Sequence, residues 1–520
     1  MIGRPWAFWS GVAALSVGVL LHLPDWWATL RMDRAMPELG HRMAMSPTLT
    51  AGMALLVVGL AASVYGILPP RAGYRPGHGV EAYLKAMDGA PLRPAHRALA
   101  LVVGIAIVID TMKPATLGFV LPGLAAEYGI DTRHAATLPL VALTGTTAGS
   151  LAWGMLGDRI GRRASILLSG LLFMATSICG FMPEFRWNLV MCFLMGASAG
   201  GMLPIAYALM AESLPADRRG RYIVLQTGLG SVGGYLVAAA AAATLAPYFG
   251  WRVLWLLGLP TGLLLIGLNR WIPESPRFLL ANGREAEARA VLARYGVTLQ
   301  ISAPAPAVAP SASSGMAGLF RDPYTRHTVI VVGYALSWGL VNWGFITFLP
   351  SFLDGAASQV LLLAALLAIP NTFLAAQLYG AWSSKRSMVL YGVVTVVALA
   401  GFALYLPNVR VGSQVITIGM LAILLAGTGG MIAMIAPYTT ELYPTGMRAS
   451  GSGLTAGASK VGGMVGPVLI GALATTTPLR LLALLTALPV VGATVALGVN
   501  GRETSGKPLP EQIAPTVNRI

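Results

Sequence analysis

Three charged residues stand inside long apolar runs of this chain: Asp110, Lys113 and Lys460. In a membrane span such a charge costs at least ~2.5 kcal/mol on insertion scales, and it marks a solute pathway or a proton relay. Asp110 and Lys113 lie three residues apart, on one face of a helix. They either pair with each other or act on a passing solute. In the second reading Asp110, an acid deep in a core span, is the candidate proton carrier, and Lys113 is near enough to stabilise its charged form. An arriving anion would compete for Lys113 and Lys460. Lys460 sits well inside GASKVGGMVGPVLIG. Its stem either reaches an interface or presents the ammonium to the pathway. Asn342, Asn371 and Gln226 are uncharged candidates for solute binding, with interhelical hydrogen bonding as the alternative.

A second group has the chemistry of a lock. Gly154 to Arg163 reads GMLGDRIGRR, a very short turn between two helices. Asp158 is an acid at the bilayer edge. It can accept bonds from a helix end or an arginine in one conformation and lose them in another. The plainer alternative is a topology anchor, with Arg159, Arg162 and Arg163 holding the turn out of lipid. Glu212, Pro215 and Arg219 are spaced E-x-x-P-x-x-x-R, and Glu441, Pro444 and Arg448 repeat the spacing. The offsets 441−212, 444−215 and 448−219 all equal 229. Gly118-Phe119 recurs as Gly344-Phe345, and Asp158-Arg159 recurs in weakened form as Ser384-Lys385, both at 226. Such correspondences indicate an internal duplication, in which two bundles can rock about a site between them.

The elements that must position these residues follow from composition. The 520 residues are 56% hydrophobic and only 11% charged, with a mean hydropathy of +0.70; soluble domains carry about 25% charged residues. A bilayer core needs ~20 apolar residues of helix. Only helices and closed barrels satisfy their backbone in lipid, and long continuous runs exclude a barrel. The reading is an all-α integral membrane protein. Two leading spans lie near 6–24 and 48–68, and twelve more start near 98, 136, 164, 187, 225, 253, 328, 358, 388, 413, 450 and 479. Arg and Lys concentrate in alternate loops, which places both chain ends in the cytoplasm and residues 25–47 outside. The organisation is two extra helices and a basic loop (1–97), a six-helix bundle (98–272), a middle loop (273–326), a second six-helix bundle (327–500) and a tail (501–520). Arg284 to Tyr295 reads as an amphipathic helix, and 301–316 as an Ala/Pro/Ser linker without a fold of its own. The polar tail is expected to be loose.

Several classes fall away. The formal net charge of +15 sits in short loops between apolar runs, so topology accounts for it and nucleic acid does not. Cys179 and Cys192 lie inside apolar runs, and no metal-ligand spacing accompanies them. There is no GxSxG, Walker loop or HExxH, so nothing argues for an enzyme or a cofactor. The first apolar run is followed by Asp25-Trp26-Trp27 and reads as a retained helix rather than a cleaved leader.

GMLGDRIGRR resembles the signature loop of the major facilitator superfamily. AESLPADRRGR and TELYPTGMRASG resemble the ends of helices 4 and 10 in its sugar-porter and metabolite–proton symporter branches. PESPRFL, from Pro273 to Leu279, resembles the motif after helix 6 there. The likeness covers roughly 98–500 and leaves the leading helices outside it. It implies a twelve-helix, two-bundle core, pseudo-symmetric as six plus six, working by alternating access. It also implies a cytoplasmic network of Asp158, Arg159, Arg162, Arg163, Glu212, Arg219, Glu274, Arg277, Glu441 and Arg448 that locks one conformation. IDTMKPATLGFVLPGL resembles helix 1 of aromatic-acid–proton symporters, DGxDxxxxGFxxP. Asp110 matches the first acid, and Lys113 reverses the charge of the second. The expectation is a proton-coupled carrier of a small organic or aromatic carboxylate in a bacterial inner membrane. No cofactor or metal is expected, and the leading helix pair offers a place for a partner protein. Sugar or polyol uptake and drug efflux are the alternatives within the class. A transporter-like sensor or scaffold is the alternative outside it.

Overall fold

A computed structural model of the chain describes residues 3–35, 46–68, 91–281, 284–297, 316–351, 357–405, 414–443, 445–473 and 478–505. The basic loop over 69–90, most of the linker and the tail from 506 lie outside the described residues. Every regular element among the described residues is helical. Eleven of these helices are long and apolar enough to cross a membrane.

The first compact unit comprises Met1–Arg219, Gly233–Pro304 and Thr347–Leu362. It opens with α1 (Pro5–Leu20), α2 (Leu23–Ala35) and α3 (Pro47–Ile67). Proline at the first turn of α1 and α3 suits a position whose N–H would be unpaired anyway, and the Ser46 side chain caps α3 by accepting from Leu49 N at 3.1 Å. In lipid, helices associate through close packing of small residues. The α1–α3 seam shows it: a Cβ at Gly11 would lie 2.6 Å from the Gly59 carbonyl oxygen, so the two backbones touch. One face of this hairpin buries Phe8, Leu15, Val19 and Leu56 against Leu167, Leu171 and Met174 of a later helix.

That later helix is α6. The core of the unit runs α4 (Pro94–Tyr128), α5 (Thr137–Ile160), α6 (Arg162–Ala175), α7 (Phe185–Ser213) and α8 (Ala216–Thr244). It continues with α9 (Gly258–Leu268), α10 (Pro276–Ala281) and α11 (Glu285–Tyr295). Thirty-five residues of α4 continue through Pro114 and Pro122 and stop at Gly129, whose φ of 62° is the left-handed conformation glycine accepts. The amphipathic helix read from Arg284 is α11. It buries Ala288, Leu292 and Tyr295, with the Tyr295 ring 4.6 Å from His96 at the start of α4.

The second unit comprises Gly220–Val232, Ala305–Ile346 and Leu363–Ile520. Its helices are α12 (Thr325–Gly339), α13 (Ala357–Gln377), α14 (Ser384–Tyr405), α15 (Gln414–Leu442), α16 (Thr445–Leu473) and α17 (Leu479–Asn500). α12 widens into a π-helical turn at Leu340–Ile346, and α13 into another at Leu378–Trp382. α14 packs on α15 and α17, and α12 with its wide turn packs on α16.

Two boundaries differ from expectation. α8 begins at Ala216 rather than near 225, and α16 at Thr445 rather than near 450. Arg218, Arg219 and Arg221 therefore ride on the first two turns of α8, and Arg448 on the first turn of α16. Arginine is a good helix former, so each helix extends beyond its apolar run.

Candidate functional site

Asp110 and Lys113 both lie on α4 and are almost fully buried, at 1% and 2% exposure. The Lys113 ammonium donates to the Phe173 carbonyl at 2.5 Å and to Thr176 Oγ1 at 3.0 Å, and stands 5.1 Å from the Phe173 ring centroid. All three contacts belong to the end of α6. Lys113 is thus held inside the first unit, desolvated and hydrogen-bonded at once, as a buried polar group has to be. Cys179 and Cys192 lie with their sulfurs 3.3 Å apart, both free and buried.

The junction between α5 and α6 is where sequence reading placed a lock. Gly161 stands there with φ of 100°, a conformation that strains any L side chain. The Glu274 carboxylate fills the space beside it: a Cβ on Gly161 would lie 2.4 Å from Oε2. Glu274 Oε1 accepts from the backbone N–H of Arg162 at 2.7 Å and of Arg163 at 3.3 Å. A carboxylate on the exposed amides of a helix N-terminus is the favourable end of the dipole. Burial raises the pKa of Glu274 above its ordinary value, and the N–H bonds from Ser275, Arg162 and Arg163 oppose that rise.

The second unit repeats the device with a residue the sequence reading missed. After α17, Glu503 turns back to the N-terminus of α14. Its Oε1 accepts from Ser384 N at 2.9 Å and Ser384 Oγ at 2.5 Å, and its other oxygen accepts from Ser383 Oγ. Burial works against this charge, but the bonds from Ser383, Ser384 and Ser505 win and hold the pKa down to about 2. The adjoining Thr504 hydroxyl donates to Glu441 Oε2 at 2.7 Å, and Tyr379 OH donates to the same oxygen at 2.7 Å. Burial pushes Glu441 up, with those two hydrogen bonds pulling down. The signal was available: 503−274 is again 229, the offset of the E-x-x-P-x-x-x-R pair. Two expectations are corrected here. Residues 501–505 are not loose, because Glu503 finds the unpaired amides of α14. Ser384 does not match Asp158 in position: Asp158 lies in the last turn of α5, whereas Ser384 opens α14 after a wide turn that shifts the register.

The uncharged candidates separate. Asn371 spends both ends of its amide inside the second unit, donating to the Ala426 carbonyl at 3.0 Å and accepting from Tyr391 OH at 2.7 Å. Asn342 sits in the π-helical turn after α12, a feature common at functional sites. Lys460 lies half-buried on α16, the helix that packs on that turn. Gln226 is buried on α8. The side chains of Asp158, Arg159, Glu212, Arg219, Arg277 and Arg448 lie outside the described residues.

A further network closes the other end of the first unit. Arg252 pairs with Glu127, the two side chains being 6% and 12% exposed. Arg252 Nε donates to the Gly180 carbonyl at 2.8 Å, and Asn188 links Gly180 N to Tyr128 OH at 2.7 Å each. No motif in the sequence singles out Arg252, because its partners lie 125 and 72 positions away.

The chain matches the family model described as Major Facilitator Superfamily over residues 100–467. It is 26% identical to the niacin transporter NiaP of Acinetobacter baylyi, over 74% of this chain and 88% of that one. It is 24% identical to the benzoate transport protein of the same organism, over 74% of this chain and 85% of that one. Among solved structures, it is similar to a partially occluded inward-open form of the xylose transporter XylE from E. coli. That match has a TM-score of 0.64 and 17% identity, and covers 80% of this chain and 100% of the other. The last likeness concerns the fold alone. Helices spaced for a membrane, a repeated helix-capping glutamate and a family match across both repeats lead to one assignment: this chain belongs to the major facilitator superfamily, as an integral membrane transporter of small molecules.

Proposed function

We propose that the protein is a proton-coupled symporter of a small aromatic or other organic carboxylate, working by alternating access in a bacterial inner membrane with both termini in the cytoplasm. One observation carries the reading. Two relatives aligned along most of their length bear the names of niacin and benzoate carriers, and both solutes are aromatic monocarboxylic acids. The buried charges fit that chemistry. In this reading Lys113, one helical turn from Asp110, stabilises the Asp110 carboxylate when protonated, and Lys460 supplies a second cation on the other repeat. A carboxylate entering this field competes with Asp110 for the cations. Asp110 then takes up a proton, so proton entry and solute entry are linked. The capping glutamates Glu274 and Glu503, with Glu441, Arg162 and Arg163, form the cytoplasmic lock. The six-plus-six boundaries at 98–272 and 327–500 are part of the same reading. The hairpin over 1–68 lies beyond both repeats and serves assembly or partner binding.

The test is uptake of labelled nicotinate, benzoate, xylose and choline by proteoliposomes under an imposed inward proton gradient. A carboxylate is expected to accumulate, and a protonophore to abolish the accumulation. Asp110→Asn should lose gradient-driven accumulation and retain solute exchange. Lys460→Ala should raise the half-saturating carboxylate concentration several-fold. Accumulation of xylose or choline in place of the acids would overturn the substrate class. Normal gradient-driven uptake by Asp110→Asn would remove the proton role.

A further inference from the structure

A cavity of about 780 Å³ opens on the second unit where α14 begins. Lys385, Arg386 and Trp382 stand at one end of it, and Val389, Leu390 and Val393 carry it along α14. The exposed positions of α14 fall at Arg386, Leu390, Val393, Val397 and Leu404, spaced four, three, four and seven residues apart, which is a single helical stripe. Leu390, Val393 and Val397 are 39%, 47% and 60% exposed. In a membrane transporter such an aliphatic stripe faces acyl chains. Trp382 at its head is 51% exposed, the placement of an interfacial tryptophan.

The charge at the head of the stripe is net positive, Lys385 and Arg386 against Glu503. Neither Lys385 nor Arg386 forms an ion pair with a described residue. The one acid lining the cavity, Glu503, already accepts from Ser383 Oγ and from Ser384 N and Oγ. Two adjacent cations at the membrane edge attract a lipid phosphate, and the aliphatic run below them suits a chain attached to it. On the facing helix Gly498 keeps the groove open: its nearest neighbour to an added Cβ is Val389 Cγ2 at 3.6 Å.

We propose that this groove binds an anionic phospholipid, with its phosphate on Lys385 and Arg386 and one acyl chain along Val389, Leu390 and Val393. The headgroup then lies next to the docked segment around Glu503, so the lipid sits against one of the two capped helix junctions. The site is independent of which solute is carried.

Native mass spectrometry of the full-length protein, released from micelles doped equally with phosphatidylglycerol and phosphatidylcholine, tests the idea. The wild type should retain phosphatidylglycerol on the order of tenfold better. The double variant Lys385→Ala/Arg386→Ala should lose that preference. Gly498→Leu keeps both charges and fills the groove, so it should lose both lipids; its melting temperature without added lipid checks that it is folded. Equal retention of the two lipids by the wild type, or wild-type retention in both variants, overturns the proposal. So does displacement of the lipid by inorganic phosphate, which would make the site one for a free anion.

Discussion

Arg252 and Glu127 are 125 positions apart in the chain and meet in a nearly dry ion pair. Removing one partner of such a pair leaves the other charge buried and unpaired, at about 3–5 kcal/mol. Arg252→Ala should therefore lower unfolding stability in micelles by about that amount. Removing both partners should cost less than the sum of the two single losses, and an additive double variant would mean that the two do not interact. Glu503 makes a different prediction. Its folded pKa of about 2 lies below the ordinary 4.5, so its contribution to docking is present above about 4.5 and is lost as pH falls toward 2. Trp382 lines the same cavity. Its emission should change across that acid window in the wild type and stay flat in Glu503→Gln. Glu274 and Glu441, raised by burial, have the opposite sign. Their contribution weakens as pH rises through the carboxylate range, so they cannot mimic the loss of Glu503 on acidification. Of these residues only Glu274 and Glu441 were legible in the sequence, because they lie in motifs. Arg252 and Glu503 act through partners that only folding brings near.

The leading hairpin lies outside residues 100–467, which the family model matches. Its seam is made of backbone contact at Gly11 and Gly59, and its inner face joins α6 through Leu167 and Leu171. Trp26 adds ring contacts to Phe181 and Phe249 at 6.4 and 6.1 Å between centroids. Lipid can replace these apolar contacts at little cost in hydrophobic energy, since acyl chains are as apolar as the side chains lost. A chain lacking residues 1–68 should therefore keep flux per correctly inserted molecule, with a lower melting temperature from lost packing. Folded protein with no flux would place the hairpin in the transport cycle. The existence of these helices was plain from their apolar runs. Their attachment to α6 was not, because a helix that is apolar all round carries no sign of which face meets protein and which meets lipid.

At the scale of the whole molecule, much was settled before folding is considered. Scarce charge and long apolar runs leave helices as the only way to satisfy the backbone in lipid. The motifs around Asp158, Glu212 and Glu441 carry the family, and the offset of 229 carries the duplication. These are local properties or simple spacings, and the chain states them directly. What the tertiary structure alone decided is which groups meet. Lys113 meets Phe173 and Thr176, and Asn371 meets Ala426 and Tyr391, partners that no spacing in the sequence names. Glu503 comes from a tail that composition marks as loose, and becomes the cap of a helix more than a hundred residues earlier. A helix N-terminus presents unpaired amides to whatever carboxylate the fold brings within reach. The sequence names the amides and the carboxylates, but the distance between them exists only after the helices have packed.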